Sequence, residues 1–318
     1  MSRILVSLGG NALGTDFDEL VESVGVVAKP IVGLIEAGHE IVICHGNGPQ
    51  VGMIKTSIDH GRANFKQPSV PLSEAVAMSQ AYVGYHLQNA IENQLHAHGL
   101  QKTVCTLISR SLVDAEDPMF KRPTKPIGAF FTAEEAEGLR KAGKAMIEDS
   151  GRGYREVVAS PMPTAILEKE AILGLVSAGH VVIAGGGGGI PTVRKDNWYK
   201  AIDAVIDKDY VSVMMAADAQ CDAMVILTGV EKVAINFNTP DQQDLDELTV
   251  AHAEKYLAEG QFPEGSMLPK IRAALRFTAS GPGRKTLDHL AGQACRGPRG
   301  QDRHVDRALM WLGGAVSR

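Results

Sequence analysis

Three lysines occupy settings suited to phosphoryl transfer. Lys125 lies in the stiff segment Pro123-Thr124-Lys125-Pro126-Ile127-Gly128. Lys208 stands between two acids in Ile206-Asp207-Lys208-Asp209, ahead of a helical stretch, and Lys270 ends Gly265-Ser266-Met267-Leu268-Pro269-Lys270, also ahead of one. Phosphoryl transfer asks little covalent chemistry of a protein. It asks for positive charge around the transferred group and its bridging oxygens. Any single lysine is most simply a solvated charge, and Asp207 and Asp209 are most simply helix N-caps.

Four glycine-rich junctions accompany these cations. They are Leu8-Gly9-Gly10-Asn11-Ala12-Leu13, His45-Gly46-Asn47-Gly48-Pro49-Gln50-Val51-Gly52, Gly185–Gly189 and Leu227-Thr228-Gly229-Val230. A phosphate needs backbone N–H donors at close approach, which side chains obstruct. Glycine between a strand and a helix N-terminus supplies that access together with a favourable dipole. One such loop is an ordinary tight turn; four point to several phosphates, as a nucleotide plus a second phosphate would bring.

Other chemistries fit less well. Gly46 and Gly48 begin a G-x-G, but the next glycine falls at 52, one residue late for the dinucleotide fingerprint. Gly138–Ala145 imitates a P-loop, yet ends in Ala where the metal-binding hydroxyl belongs, and it reads as a solvated helix. The patterns of zinc proteases, paired Cys-x-x-Cys sites and Gly-x-Ser-x-Gly hydrolases do not occur. His45 reads first as a hydrogen-bonded structural residue and second as an acid–base group; His96 and His98 read as exposed helix ends.

The elements that must position these residues alternate. Ile4–Leu8, Glu40–Cys44, Thr103–Ile108, His180–Ala184 and Ala223–Leu227 are short apolar runs that predict buried strands. Val21–Ala37, Ser73–Ala97, Pro163–Ser177 and Asp209–Ala219 predict helices between them. Strands separated by helices imply an α/β fold with a mostly parallel sheet covered on both faces. Ala37-Gly38-His39 and Ala178-Gly179-His180 precede two of these strands in the same way, and each glycine fits a left-handed helix terminator. Both strands run into glycine loops; this is either a unit that any α/β protein reuses or a pair of loops opening at the carboxyl edge of one sheet, where open α/β folds bind ligands. Residues 111–160 are richer in charge, Pro and Gly, with Glu134–Ala145 helical, and read as an inserted subdomain.

Composition bounds the possibilities. The 318 residues allow one large or two modest domains, and 44% apolar content supports a sizeable core. A net charge of -5 disfavours a general nucleic-acid or membrane-surface binder. No apolar run approaches the ~20 residues of a membrane span, and the first residues do not read as a secretory signal. Cys44, Cys105 and Cys221 lie in or beside apolar stretches and read as free buried thiols, which points to the cytosol.

Taken together, these segments resemble the carbamate kinases of the amino acid kinase superfamily. The resemblance covers residues 1–287. It is carried by LGGNAL (8–13), HGNGPQVG (45–52), AMSQAYVGYHLQNA (77–90), KPIG (125–128), GRGYREVVASPMP (151–163), AGGGGGIP (184–191), AVIDKDYV (204–211), LTGV (227–230) and GSMLPK (265–270). It implies a three-layer α/β/α sandwich around a mostly parallel, about eight-stranded sheet, a small protruding lid subdomain near 115–160, and a homodimer. It implies reversible phosphoryl transfer between carbamoyl phosphate and ADP, giving ATP and carbamate, with Mg2+. By position, Gly9, Gly10, Asn11, His45, Gly46, Asn47 and Gly48 would hold the phosphoryl and carbamate end. Lys125 would reach in from the lid, Lys208 would neutralise the transferring phosphate, and Asp209 would orient the lysines. Gly186, Gly187, Thr228, Gly229, Val230, Met267 and Lys270 would serve the nucleotide. Carbamate is already anionic, so no dedicated general base is needed. Another amino acid kinase, acting on a carboxylate or a nucleotide, and a non-catalytic nucleotide-binding protein are the alternatives. Two departures, the short acidic GTDFDEL after LGGNAL and Ala81 in place of an expected glycine, would bear on carbamate-side packing.

The end of the chain departs from the resemblance. From Thr286 onward there are five Arg, three Asp, no Lys and no Glu. Read one base out of frame, with free choice only at degenerate positions, Asp288–Arg307 spells ITSLDKPAEALEGKTGTWI, the expected family ending. Leu309-Met310 then accommodates a stop. One extra base near Leu287–Asp288 accounts for this. It implies that residues 288–318 are a foreign tail and that the last strand is lost.

Overall fold

Alternate residues of β1 (Arg3–Leu8) and β2 (Glu40–His45) feed two different cores. Ile4, Val6, Leu8, Ile41 and Ile43 pack with Leu20, Val27 and Ile31 of α1 (Phe17–Glu36) and with Leu87 and Ile91 of the helix Leu72–Ala97. Leu5, Val42 and Cys44 pack on the opposite face with Val211 and Met215 of the helix Lys208–Asp218, Val176, and Phe277. A strand buried on both faces must be apolar at odd and even positions alike, which is why these segments are continuous hydrophobic runs.

The computed structural model describes residues 1–66, 68–149, 151–228, 232–245, 248–263 and 267–290. The further strands are β3 (Val104–Thr106), β4 (Arg110–Val113), β5 (Lys125–Phe131), β6 (Met146–Glu148), β7 (Tyr154–Val158), β8 (Pro163–Ile166), β9 (Val181–Ile183), β10 (Ile190–Lys195), β11 (Trp198–Ala201), β12 (Ala223–Thr228), β13 (Val233–Ile235), β14 (Gln243–Leu245) and β15 (Lys285–Leu290). The further helices are α2 (Gly48–Phe65), α3 (Leu72–Ala97), α4 (Ala133–Lys141), α5 (Lys169–Ser177), α6 (Lys208–Asp218), α7 (Val250–Ala258) and α8 (Met267–Ala279).

Six strands form one parallel sheet in the order β15-β12-β1-β2-β9-β3. Leu8 of β1 pairs with His45 of β2 on one side and with Leu227 of β12 on the other. Three glycine junctions therefore leave the sheet side by side at its carboxyl edge. The fourth follows β9, the other neighbour of β2.

The described main sheet has six strands where about eight were expected. β4, β8, β10 and β11 instead make a second, four-stranded sheet in which hairpin and crossover pairings mix. A separate three-stranded antiparallel sheet, β5-β7-β6, carries α4. Thr132 caps α4 through a reciprocal capping box with Glu135.

Several expected boundaries shift for local reasons. Pro163–Ser177 is not one helix: Pro163–Ile166 pairs with β4, and the helix begins at Lys169. The helix expected over Glu134–Ala145 stops at Lys141, because Gly143 takes φ 89° and closes the turn. α1 starts earlier than expected, where the Asp16 side chain accepts from the Glu19 N–H. Lys270 lies inside the first turn of α8 rather than before it. Gly38 (φ 87°) and Gly179 (φ 89°) are left-handed terminators, as expected from their placement.

The structure corrects the loss of the last strand. Lys285–Leu290 pairs in parallel with β12, from Ala223↔Lys285 to Thr228↔Leu290. An edge strand is recruited through backbone hydrogen bonds, which do not require a particular side chain. Residues 291–318, the remainder of the expected foreign tail, lie outside the described residues. No helix among the described residues is long and apolar enough to cross a membrane.

Candidate functional site

The carboxyl edge of the main sheet is built from glycine backbones in close contact. The Gly9 N–H donates to the Leu227 carbonyl at 3.1 Å, and the Gly46 N–H to the Leu8 carbonyl at 2.9 Å. A Cβ on Gly46 would stand 2.6 Å from the Gly10 nitrogen, and one on Gly9 3.3 Å from the Leu227 oxygen. The loops from β1, β2 and β12 thus touch main chain to main chain. Gly48 opens α2, and Gly10 opens a single helical turn, Gly10–Leu13. Helix N-termini carry N–H groups without intrahelical partners, so two sets of donors face one edge.

The loop after β9 lies against the one after β2. A Cβ on Gly186 would reach within 2.5 Å of His45 Nε2, and one on Gly187 would overlap the Asn47 side-chain amide. Gly185 and Gly187 have φ of 65° and 62°, a backbone that side chains disfavour. Asn47 is buried and donates to Ser79 Oγ at 2.7 Å. His45 is buried, with Nδ1 2.9 Å from the Gly46 carbonyl. Burial pushes its pKa down to about 4; the Gly46 contact opposes this and the Lys208 charge adds to it. His45 is therefore neutral at physiological pH, with the Nδ1 hydrogen donated to the carbonyl.

The cations converge on the same edge. Lys208 is the first residue of α6 and only 8% exposed. Its Nζ donates to Asp209 Oδ1 at 2.5 Å and to Ser7 Oγ at 2.9 Å. Ser7 Oγ lies 2.9 Å from Ser212 Oγ, so a buried hydroxyl pair sits beneath the ammonium. Lys270 Nζ is 4.0 Å from the second Asp209 oxygen. Lys125 Nζ donates to Asp207 Oδ2 at 2.8 Å, while Asp207 Oδ1 accepts from the Asp209 N–H and caps α6.

The charges stabilise one another. Burial opposes ionisation of Asp209, but Lys208, Lys270 and Lys125 outweigh it and hold its carboxyl well below the usual range. Burial opposes the charge on Lys208 as well, and Asp209, with smaller contributions from Cys44 and Asp207, raises its pKa above the ordinary lysine value. Three ammonium groups thus face two carboxylates, leaving an excess of positive charge beside the glycine loops.

Every expected cation, glycine loop and acid among the described residues reaches this edge. The Thr228 backbone ends β12 there, and Met267 opens α8, where it packs beside Ile271 and Phe262. The Asn11 backbone lies in the Gly10–Leu13 turn. Gly229 and Val230 fall outside the described residues. Sequence reasoning missed Ser7 and Ser212; a serine inside the apolar run Ile4–Leu8 was the available signal. The acidic segment adjoins the site at Gly14, whose carbonyl accepts from Gln50 Nε2 at 3.1 Å, and Ala81 points away from it. Ala81 is exposed on α3, and Thr15, Asp16 and Glu19 of the acidic segment cap α1.

The chain is similar to known proteins. The model of the amino acid kinase family matches residues 2–284. The chain is 48% identical over 300 residues to the carbamate kinase-like protein YqeA of Escherichia coli, covering 94% of this chain and 97% of that protein. It is 48% identical over 283 residues to the carbamate kinase of Staphylococcus haemolyticus, covering 89% and 92%. Among solved structures, carbamate kinase from Giardia lamblia bound to AMP-PNP superposes with a TM-score of 0.82 at 36% identity, covering 91% of this chain and 93% of that one. The same enzyme bound to citric acid gives a TM-score of 0.86, covering 92% and 94%.

Proposed function

The chain belongs to the amino acid kinase family, and from that premise we propose that it is a carbamate kinase. It transfers a phosphoryl group reversibly between carbamoyl phosphate and ADP, giving carbamate and ATP. The observation that carries this reading is the Lys208–Asp209–Lys270 chain of charge, with Lys125 on Asp207, beside loops of glycine backbone.

In the ATP-forming direction, a terminal oxygen of ADP attacks the phosphorus of carbamoyl phosphate. The bond from phosphorus to the carbamate oxygen breaks, and carbamate leaves as an anion with that electron pair. Neither side needs a proton moved. The backbone N–H groups of Gly10, Asn11 and Gly48 hold the phosphoryl and carbamate end, while Gly9 and Gly46, whose N–H groups bind the Leu227 and Leu8 carbonyls, let those loops approach it. Lys208 neutralises the equatorial charge of the transferring group, Lys125 adds charge from β5, and Asp209 keeps Lys208 and Lys270 oriented. Asn47 and His45, both engaged with neighbouring protein groups, support the loop. Gly186 and Gly187, packed against them, shape it from beneath. Thr228, Gly229, Val230, Met267 and Lys270 serve the nucleotide.

Mg2+ would come with the nucleotide and would screen the charge of its phosphates; Asp207 and Asp209 already face lysines and are poorly placed to hold it. The acting form is a homodimer. An aromatic cluster on α1 and α3 supports this, where exposed Phe17 and Tyr85 and half-buried Tyr82 surround His86 with ring centroids 4.9 to 5.6 Å from it. A cytoplasmic location agrees with the free thiols of Cys44, Cys105 and Cys221.

The test is ATP formation from carbamoyl phosphate, ADP and magnesium, with Lys208→Ala alongside and a panel of carboxylate and nucleotide acceptors assayed in the reverse direction. Turnover lost by a factor of about 10² or more in the variant is expected. A folded parent that binds ADP yet phosphorylates another acceptor in preference to carbamate would overturn the reading.

A further inference from the structure

Gly52 and Gly128 meet backbone to backbone. Gly52 lies in the interior of α2, where glycine is less favourable than alanine. A Cβ there would overlap the Cα and N of Gly128 in β5. Gly128 has φ 71°, and its carbonyl accepts from Arg155 Nη2 at 3.0 Å. The β5–β7 pairing is regular from Lys125 to Ile127 and changes register beyond it, so Gly128 lies where the strand departs from its ladder. Next to it, Ile127 is buried with Val51 of α2, Val76 of α3 and Val205. Lys125 begins the same strand three residues earlier, with Nζ on Asp207, the cap of the helix that carries Lys208.

We propose that Gly52 and Gly128 are a positioning pair: their close approach sets the height of β5 above α2 and so delivers Lys125 to the transferred phosphoryl group. The inference rests on the role given to Lys125 above. A helix-interior glycine sacrifices local stability, and here the absent side chain is what lets a second backbone approach. A methyl at position 52 must raise β5, and the short, hydrogen-bonded run from Gly128 back to Lys125 carries the displacement to the ammonium. At a reacting centre, misplacement by about 1 Å costs about 10²-fold.

The experiment uses the full chain carrying Gly52→Ala, Lys125→Ala, or both, with ATP formation, ADP binding and thermal unfolding measured on each. Each single variant is expected to lose about 10- to 100-fold in kcat while still binding ADP. The double variant is expected to be no slower than Lys125→Ala alone, because both changes remove the same interaction. A purely structural role for Gly52 would make the losses multiply, and that result overturns the proposal. So does a Gly52→Ala enzyme that keeps the parent rate while Lys125→Ala loses it. Should Lys125→Ala itself keep full rate, the role of Lys125 fails, which is a separate finding. Gly128→Ala covers a Gly52→Ala chain that does not fold. It lies on the small sheet and adds backbone strain with only a 3.6 Å contact to Gly52 Cα; non-additivity with Lys125→Ala is again expected, and an unchanged rate overturns the proposal.

Discussion

His45 gives the site a measurable pH signature. Its imidazole titrates near 4 in the folded protein against 6.5 ordinarily, because burial disfavours the charged form. Between those values the unfolded chain binds a proton that the folded chain refuses. Stability therefore falls as pH drops from about 6.5 to about 4 and gains no further slope from this group below that, a contribution of order 3 kcal/mol. Chemical denaturation of the parent and of His45→Asn across this window would show it. The variant is less stable throughout, but its pH slope should be shallower; equal slopes would rule the assignment out. His45 and Lys208 were visible in the sequence because glycine or aspartate flanks them, and Lys125 and Lys270 because each adjoins a proline. Ser7 was not, because a serine in an apolar strand looks like a tolerated small residue until its hydroxyl is found 2.9 Å from Lys208 Nζ.

Helix ends were legible wherever glycine has a single conformational task. Gly38 shows this cleanly: its φ is 87°, and a Cβ there would meet nothing within 4 Å. Gly38→Ala should thus cost only backbone strain, about 1 kcal/mol by urea unfolding, with ATP formation unchanged. A substantially larger loss would mean that the residue also packs. Strand positions were legible through their apolar runs, with limits good to a residue or two for β1, β2 and β12. The helix α2 was not anticipated, because its opening Gly48-Pro49 and Gly52 mask a helical period. β8 was absorbed into a helix, because neither glycine nor proline separates Ile166 from Lys169. The small sheet β5-β7-β6 was hidden for another reason: its strands are short or only partly buried and Gly128 interrupts β5, so alternation is weak.

Two cores lie on opposite faces of the main parallel sheet, and the alternation of apolar strand runs with helical stretches foretold that layering. The edge at β15 was not foreseen. The strand forms although the family match ends at residue 284. We propose that a one-base slip near Leu287–Asp288 altered every residue beyond it, so that Asp, His and Leu occupy positions where Ile, Thr and Ser would stand. Asp is a poor strand former, whereas Ile and Thr favour strands. A frame-restored chain should therefore unfold at a higher temperature than this one; identical midpoints would contradict the destabilisation, and the coding DNA decides the slip directly.

The alternation along β1 has a consequence of parity. Leu5 and Ser7 share one side of the ribbon, and Ile4, Val6 and Leu8 the other. One residue inserted or removed upstream within the strand would turn every side chain over. Ser7 would then face α1 and α3, and Val6 after an insertion, or Leu8 after a removal, would confront the Lys208 ammonium. Chemistry and packing are tied to the same odd-even count, so the centre of this sheet tolerates substitution but not a change of length.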